Sequence, residues 1–184
     1  MNYGLPTSLV ICEKEYKIRS DYRAVLDVCT ALTDVELGEQ DKYEALLEIF
    51  YPDFENMPPE HYGDAIKACY DFISGGEAKS TGKNEPQLVN WEQDFKYIIA
   101  PINKAAGVDI RGLDYLHWWT FLAYYMEIGD CLFAQIVNIR NKRARGKPLS
   151  KEEREWYRRN RELVDIRAVY AERENEVLAT WGGG

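Results

Sequence analysis

The residues best suited to chemistry are an acid and an imidazole at helical spacing. Asp114 and His117 lie three positions apart, which would place both side chains on one helix face, and Glu127 or Asp130 could complete a metal site. Two-metal sites in helical bundles use two Glu-x-x-His pairs with further carboxylates, and a second helical histidine of that kind is missing. The pattern therefore favours a capping or partly buried histidine, and we expect no cofactor.

Motifs of other enzyme classes are also missing. The chain contains no G-x-S-x-G, no phosphate-binding glycine loop, no dinucleotide fingerprint and no H-E-x-x-H. Glu92 and Asp94 are two residues apart in a helical segment, so their carboxylates point in different directions and make a poor acid–base pair. The four cysteines are widely spaced and are interpreted as reduced thiols. We expect a protein that is not an enzyme.

Charge is distributed unevenly along the chain. The net charge is -8, yet residues 140–161 carry ten Lys or Arg against three Glu. This segment could contact phosphates, and its Trp156 and Tyr157 could stack on bases. The favoured alternative is a solvated helix face with a Glu155–Arg159 pair, because the acidic remainder of the chain repels polyanions. The candidate basic surface comprises Arg140, Lys142, Arg143, Arg145, Arg158 and Arg159.

The elements that must position these side chains are two central aromatic helices. In the first helix, apolar residues recur at helical spacing, and Gly107 stands where a left-handed C-terminal cap is expected. The pattern resumes at Leu113, with Asp114 as the expected N-cap of the second helix. The two expected apolar faces are Trp91, Phe95, Ile98, Ile99, Ile102 and Ala106, then Tyr115, Trp118, Trp119, Leu122, Tyr125 and Met126.

The whole pattern predicts a mainly α fold: a helical bundle with a small N-terminal β-hairpin and a long charged C-terminal helix. Alternation from Leu9 to Ile18 indicates the hairpin, and Ser150 with Glu153 forms a capping box at the start of the terminal helix. At 184 residues we expect a single domain, 1–184. Its expected parts are a hairpin at 1–20, first helices at 21–74, a flexible loop at 75–88, central aromatic helices at 89–141 and the terminal helix at 149–181.

The terminal helix carries a sparse apolar seam. Trp156, Leu163, Tyr170 and Val177 recur every seven residues, which is half of a coiled-coil seam. Such a stripe either packs on the bundle or contacts a partner, and both interpretations stay open. No apolar run approaches the roughly 18 residues of a membrane span, and the N-terminus lacks a secretory signal, so we expect a soluble protein that stays where it is made.

Several segments resemble the small tail-assembly chaperones of long-tailed bacteriophages and prophages of Gram-positive bacteria, encoded between the major tail protein and the tape-measure protein. The resemblance covers residues 5–140 in order and continues more loosely beyond them. The matching segments are the early hairpin with Ser20-Asp21-Tyr22-Arg23, Trp91-Glu92-Gln93-Asp94 with Tyr97-Ile98, Gly107-Val108-Asp109-Ile110-Arg111, Leu116-His117-Trp118-Trp119 with Phe121, and Ile136 to Arg140.

The resemblance implies a non-enzymatic assembly factor in the host cytoplasm that is absent from the mature virion. It implies binding to the aggregation-prone tape-measure protein, help in recruiting the major tail protein, a possible homo-oligomer and, in many members, a longer frameshifted form. A helix with exposed apolar residues can be held in a hydrophobic groove. Candidate residues for that contact are Tyr124, Tyr125, Trp156, Leu163, Tyr170 and Val177.

Two other functions remain as alternatives. A structural head–tail connector or tail component would be found in purified particles. A nucleic-acid-binding regulator would use residues 140–161, and its binding would weaken steeply with salt.

Overall fold

The structure is a computed structural model that describes residues 4–76 and 86–166 of the chain. Helices dominate it, and an antiparallel β-hairpin lies near the N-terminus, which confirms the predicted fold class. The strands are β1 Ser8–Ile11 and β2 Lys14–Lys17; the helices are α1 Tyr22–Thr33, α2 Glu39–Phe50, α3 Tyr62–Ile73, α4 Trp91–Ala106, α5 Trp118–Met126, α6 Leu132–Ala144, α7 Lys151–Arg159 and α8 Arg161–Val164; short 3-10 turns cover Phe54–Asn56, Pro59–His61 and Ile110–Gly112.

The described residues group into two compact units. Residues 4–76 and 102–127 belong to the first unit, and residues 86–101 and 128–166 belong to the second. Helix α4 contributes to both, since its residues are divided between Pro101 and Ile102. The single domain expected from the sequence stays a prediction. Most of the expected loop at 75–88 falls on residues 77–85, which lie outside the described residues.

The hairpin forms where alternation predicted it. Leu9 pairs with Tyr16, and the two turn residues, Cys12 and Glu13, both have positive φ values, of 48° and 63°. Two positive φ angles are typical of the type I′ turn, whose twist matches that of the flanking strands. Because side chains alternate between faces, one face of the hairpin is buried and includes Tyr16.

Helices α1, α2 and α3 form the core of the first unit. Asp21 caps α1 by accepting a hydrogen bond from the Arg23 amide. Each helix buries one stripe, because residues three and four apart share a face. The buried residues are Tyr22, Val25, Leu26, Val28 and Cys29 on α1, Leu46, Leu47 and Phe50 on α2, and Ala65, Cys69 and Phe72 on α3.

The first central helix follows the prediction, and the second does not begin where expected. Gly107 has a φ of +71°, as a left-handed cap requires. Helix α5 begins only at Trp118, with His117 rather than Asp114 as its N-cap. The chain before it is held extended, because residue 117 forms a β-bridge with Asp21. The predicted apolar stripe is therefore wrong at its ends: Tyr115 is 52% exposed and Met126 is 76% exposed.

The terminal segment begins as predicted but is not one continuous helix. Both halves of the capping box between Ser150 and Glu153 are formed at the start of α7. The helix ends at Asn160, whose side-chain amide donates to the Trp156 carbonyl at 2.9 Å and so competes with helix continuation. The single helix predicted for 149–181 is thus interrupted, and residues 167–184 lie outside the described residues.

Candidate partner-binding surfaces

Residues 116–119, the most specific segment of the resemblance, are held against the start of α1. The Tyr22 amide donates to the Leu116 carbonyl at 2.9 Å, and the Trp118 amide donates to the Ser20 carbonyl at 2.8 Å. The two carboxylate oxygens of Asp21 serve different donors, the Arg23 amide and the Leu116 amide, both at 2.9 Å. One carboxylate therefore caps α1 and fixes a segment more than ninety residues away.

His117 uses both ring nitrogens within the protein. Its Nδ1 accepts a hydrogen bond from the Trp119 amide at 3.0 Å, so the proton is on Nε2, which donates to the Pro6 carbonyl at 2.9 Å. The side chain is buried, whereas Asp114 is exposed. The acid–imidazole pairing that the spacing allowed is therefore not formed, and His117 is instead the buried N-cap of α5, in line with the alternative that the sequence favoured. Residues 4–76 and 86–166 contain no group of three or more His, Cys, Asp or Glu that could hold a metal ion.

The two adjacent tryptophans, Trp118 and Trp119, donate hydrogen bonds to carbonyls at the C-terminal end of α3. The indole N–H of Trp118 donates to the Ile73 carbonyl and that of Trp119 donates to the Phe72 carbonyl, each at 2.9 Å. The last carbonyls of a helix lack partners within the helix, so these bonds add partners at its end; the Phe72 carbonyl also accepts from the Gly75 amide at 3.0 Å. The segment is therefore structural, and its effect is to fix the start of α5.

Helix α5 presents an apolar surface. Eight of the nine residues in the sequence WWTFLAYYM are apolar or aromatic, yet only Trp118 and Phe121 are fully buried. We call the last five residues of this helix, none of which is fully buried, the α5 surface; they are Leu122, Ala123, Tyr124, Tyr125 and Met126. Ala123 and Met126 are exposed, and the other three are half-buried. The two tyrosines predicted as partner-binding residues are thus half-buried, and they lie between the exposed residues Ala123 and Met126.

In the second unit, Arg140 is not part of a basic surface. Its guanidinium binds both carboxylate oxygens of Asp94, at 2.5 and 3.0 Å, and the two side chains are 5% and 0% exposed. It also donates to the carbonyls of Leu88, Val164 and Leu163. The prediction for Arg140 is wrong because a buried guanidinium requires this full set of acceptors and cannot also face solvent.

Two further predicted cations are paired with carboxylates of the second unit. Lys142 binds Glu153 at 2.6 Å, and this hydrogen bond lowers the pKa of the Glu153 carboxyl. Arg143 binds Asp165 and lies over the ring of Tyr157, with its guanidinium carbon 4.3 Å from the ring centre. Burial raises the pKa of the Tyr157 hydroxyl, which also donates to Asp165. These cations tie α6 to α7 and to the residues after α8.

The remaining predicted cations form the accessible part of the basic segment. Arg145, Arg158 and Arg159 are exposed and, in the part of the chain that the structure describes, belong to no ion pair. The Glu155–Arg159 pair expected from their spacing is not formed. Lys147, Lys151 and Arg154 share these properties. The accessible basic surface is therefore narrower than residues 140–161 and lies on α7 and the loop before it.

The predicted seam of the terminal helix is divided. Trp156 lies on α7 and Leu163 on α8, both half-buried, and the break at Asn160 separates them. Tyr170 and Val177 lie outside the described residues. A continuous coiled-coil face through positions 156 and 163 is not present.

Sequence reasoning missed the Asp94–Arg140 pair, although a signal for it existed. Asp94 lies three residues after Trp91 and four before Ile98, within the apolar stripe of α4, and Arg140 lies four residues after Ile136 in α6. A charged residue inside an apolar stripe is a sign of a buried partner. The two stripes could have suggested the pairing.

Comparison with known proteins identifies one family. A family model described as Bacteriophage Gp15 protein matches residues 1–166. No curated protein and no solved structure matches the chain. Among the described residues, no helix is both long enough and apolar enough to cross a membrane.

Proposed function

We propose that this chain, a member of the bacteriophage Gp15 protein family, is a non-enzymatic tail-assembly chaperone that keeps the tape-measure protein soluble. The family match establishes a phage protein. The chaperone role rests on the resemblance of residues 5–140 and on the α5 surface. That surface is the structural observation that carries the proposal.

The α5 surface has the chemistry that a chaperone of this kind needs. Met126 is 76% exposed at the end of a helix made almost entirely of apolar residues. Contiguous exposed apolar side chains on a protein often mark a contact with another protein. Half-buried tyrosines add flat apolar area with a polar tip, which suits a surface that must also face water before it binds. A helical tape-measure segment is the partner that we propose for it.

The proposal is tested by co-expressing the full chain with the tape-measure protein encoded beside it. We expect the tape-measure protein to become soluble and to co-purify with this chain. Failure of solubilisation, tried also with any longer frameshifted form, would contradict the chaperone role. Mass spectrometry of purified virions gives a second readout, because we propose that the chain acts in the host cytoplasm and is absent from particles. Stoichiometric presence in particles would favour a structural tail component.

The α5 surface is tested separately with a matched pair of variants. Ala123→Lys with Met126→Lys places two charges on the exposed face near the helix C-terminus, where cations suit the helix dipole. We expect the tape-measure protein to return to the insoluble fraction. The control is Val10→Lys on β1, since Val10 is apolar and 74% exposed but lies on the hairpin. Equal solubilisation by both variants would exclude the α5 surface.

The terminal segment is the other candidate contact. Leu163→Asp combined with Tyr170→Asp changes two of the predicted seam residues. Retained solubilisation by this variant would exclude the terminal segment, whereas loss of solubilisation by this variant alone would move the contact there.

A nucleic-acid-binding role is the second candidate, and the observation that favours it is the six exposed cations of the basic segment that form no ion pair among the described residues. It predicts binding to DNA or RNA that weakens steeply with salt and falls on charge reversal at Arg158 and Arg159. Binding to the tape-measure protein, in contrast, should survive those reversals, because apolar contacts carry it.

A further inference from the structure

The acidic charge of the protein is concentrated in one stretch. Residues 34–60 contain nine carboxylates and one lysine, so their net charge of -8 equals that of the whole chain. All nine carboxylate residues are exposed, and among the described residues only Glu39 forms an ion pair, with Lys42. The nine are Asp34, Glu36, Glu39, Asp41, Glu44, Glu48, Asp53, Glu55 and Glu60.

Three of these carboxylates form a line on the outer face of α2. The helix turns Leu46, Leu47 and Phe50 towards the core of the first unit. Residues half a turn away from that stripe face solvent. They are Asp41, Glu44 and Glu48, at positions i, i+3 and i+7, and we call them the acidic stripe.

Helix α7 carries a line of opposite charge with the same spacing. Its half-buried residues are Glu153, Trp156 and Tyr157, so the opposite side of the helix faces solvent. Lys151, Arg154 and Arg158 lie there at i, i+3 and i+7, all exposed and all without an ion pair in the described residues. We call them the basic stripe.

We infer that the basic stripe of one copy of this protein docks on the acidic stripe of a second copy. Each stripe presents three like charges, and the one acid beside the basic stripe, Glu155, is outnumbered by it. Identical spacing lets all three charges pair at once when the two helices lie side by side and parallel. A single exposed ion pair adds little affinity, but a matched row fixes register and speeds association through long-range attraction. This inference does not depend on the tape-measure protein being the partner.

The contact has a defined symmetry. Since one copy contributes α2 and the other contributes α7, the first copy keeps a free basic stripe and the second keeps a free acidic stripe after the first contact. Such heterologous contacts grow until they close into a ring or continue as a filament. Two copies satisfy all four stripes when the two remaining stripes also meet, and otherwise assembly proceeds beyond a dimer.

The test uses charge reversal in the full chain. One variant carries Glu44→Lys and Glu48→Lys, a second carries Arg154→Glu and Arg158→Glu, and a third carries all four changes. Self-association is measured by sedimentation velocity over a range of protein concentrations, at about 50 mM and about 500 mM salt, because exposed charges are screened within a few ångströms at the higher value. Circular dichroism verifies that each variant is folded.

We expect the wild-type chain to associate at low salt in a concentration-dependent manner and to dissociate at high salt. Each two-site variant should bind itself at least about tenfold more weakly, because one stripe then repels the other. An equimolar mixture of these two variants should associate again, and so should the four-site variant, because opposite stripes are then restored. Glu55→Lys with Glu60→Lys is the control: it changes net charge equally, lies off the stripe and should keep wild-type association.

Several results would overturn the inference. A monomeric wild-type chain at low salt at every concentration would do so, as would two-site variants that associate like the wild type. Equal loss in the Glu55 and Glu60 control would show that net charge, rather than the stripe, is responsible. If the basic-stripe variant loses binding to DNA or RNA while mixing restores no self-association, the occupant of that stripe is a polyanion and not a second copy.

Discussion

At the scale of single residues, the buried Asp94–Arg140 ion pair is the feature of the second unit that most requires hydrogen-bond partners. Arg140 donates to both oxygens of Asp94 and to carbonyls on both sides of it in sequence, at Leu88, Leu163 and Val164. A desolvated charge is tolerated because every donor has an acceptor. This guanidinium joins segments that lie 52 residues before it and 24 residues after it.

Removing one member of this pair should lower the free energy of unfolding. Arg140→Met leaves the Asp94 carboxylate buried without its cation, and Asp94→Asn leaves the guanidinium without its anion, so each should lower the free energy of unfolding by about 3–5 kcal/mol. Urea unfolding followed by circular dichroism measures this. Replacing both residues together, with Asp94→Leu and Arg140→Met, should recover much of the loss because no lone charge remains. A loss below about 1 kcal/mol in both single variants would contradict the role.

At the scale of elements, the turn that follows α3 depends on a glycine with a positive φ angle. Gly76 has a φ of +82°, and a Cβ there would lie 3.4 Å from the Trp119 ring. Gly76→Ala should destabilise the protein by about 1–2 kcal/mol, because an L-residue is disfavoured in the left-handed region.

The matched control for this change is a glycine within α3 itself. Gly63 has open space around its missing Cβ and is helical, so Gly63→Ala should stabilise the protein by about 0.4–1 kcal/mol. Thermal unfolding of both variants gives the comparison. Equal shifts of both in one direction would show that backbone geometry at Gly76 is not what matters.

The same elements show what sequence can and cannot predict. The capping box at Ser150 and Glu153, the cap of α1 at Asp21 and the left-handed Gly107 were predictable, because each depends on residues within one helical turn. The start of α5 was not, because residue 117 is held by a β-bridge to residue 21, far away in sequence. That tertiary contact, rather than the local capping preference of Asp114, therefore determines where α5 begins.

For the candidate site, sequence spacing identified the aromatic richness of α5 and the cations of the basic segment. Local composition did not separate Arg140, which is buried, from Arg158, which is exposed; only the position of Arg140 on the apolar stripe of α6 distinguished the two. That distinction depends on a carboxylate 46 residues away. The acidic stripe was readable in principle, since it requires only the helical spacing of residues 41, 44 and 48 and the opposite buried face.

At the scale of the whole molecule, the described contacts of the second unit set a limit for truncation. Val164 and Ile166 are buried, and the carbonyls of Leu163 and Val164 accept from Arg140. A chain ending at residue 166 keeps all of these groups. A chain ending at residue 160 removes them, together with the Asp165 carboxylate that binds Arg143.

We therefore expect the chain 1–166 to unfold at nearly the temperature of the full chain and the chain 1–160 to unfold several degrees lower, since unsatisfied donors on a buried guanidinium are costly. Thermal unfolding by circular dichroism measures both. The same two chains separate the proposed contacts, because 1–166 lacks Tyr170 and Val177 but keeps the α5 surface. If it still makes the tape-measure protein soluble, the last eighteen residues are dispensable for that activity, as the proposal for the α5 surface expects. If it folds normally and loses that activity, the contact requires residues 167–184, and the proposal for α5 alone is wrong.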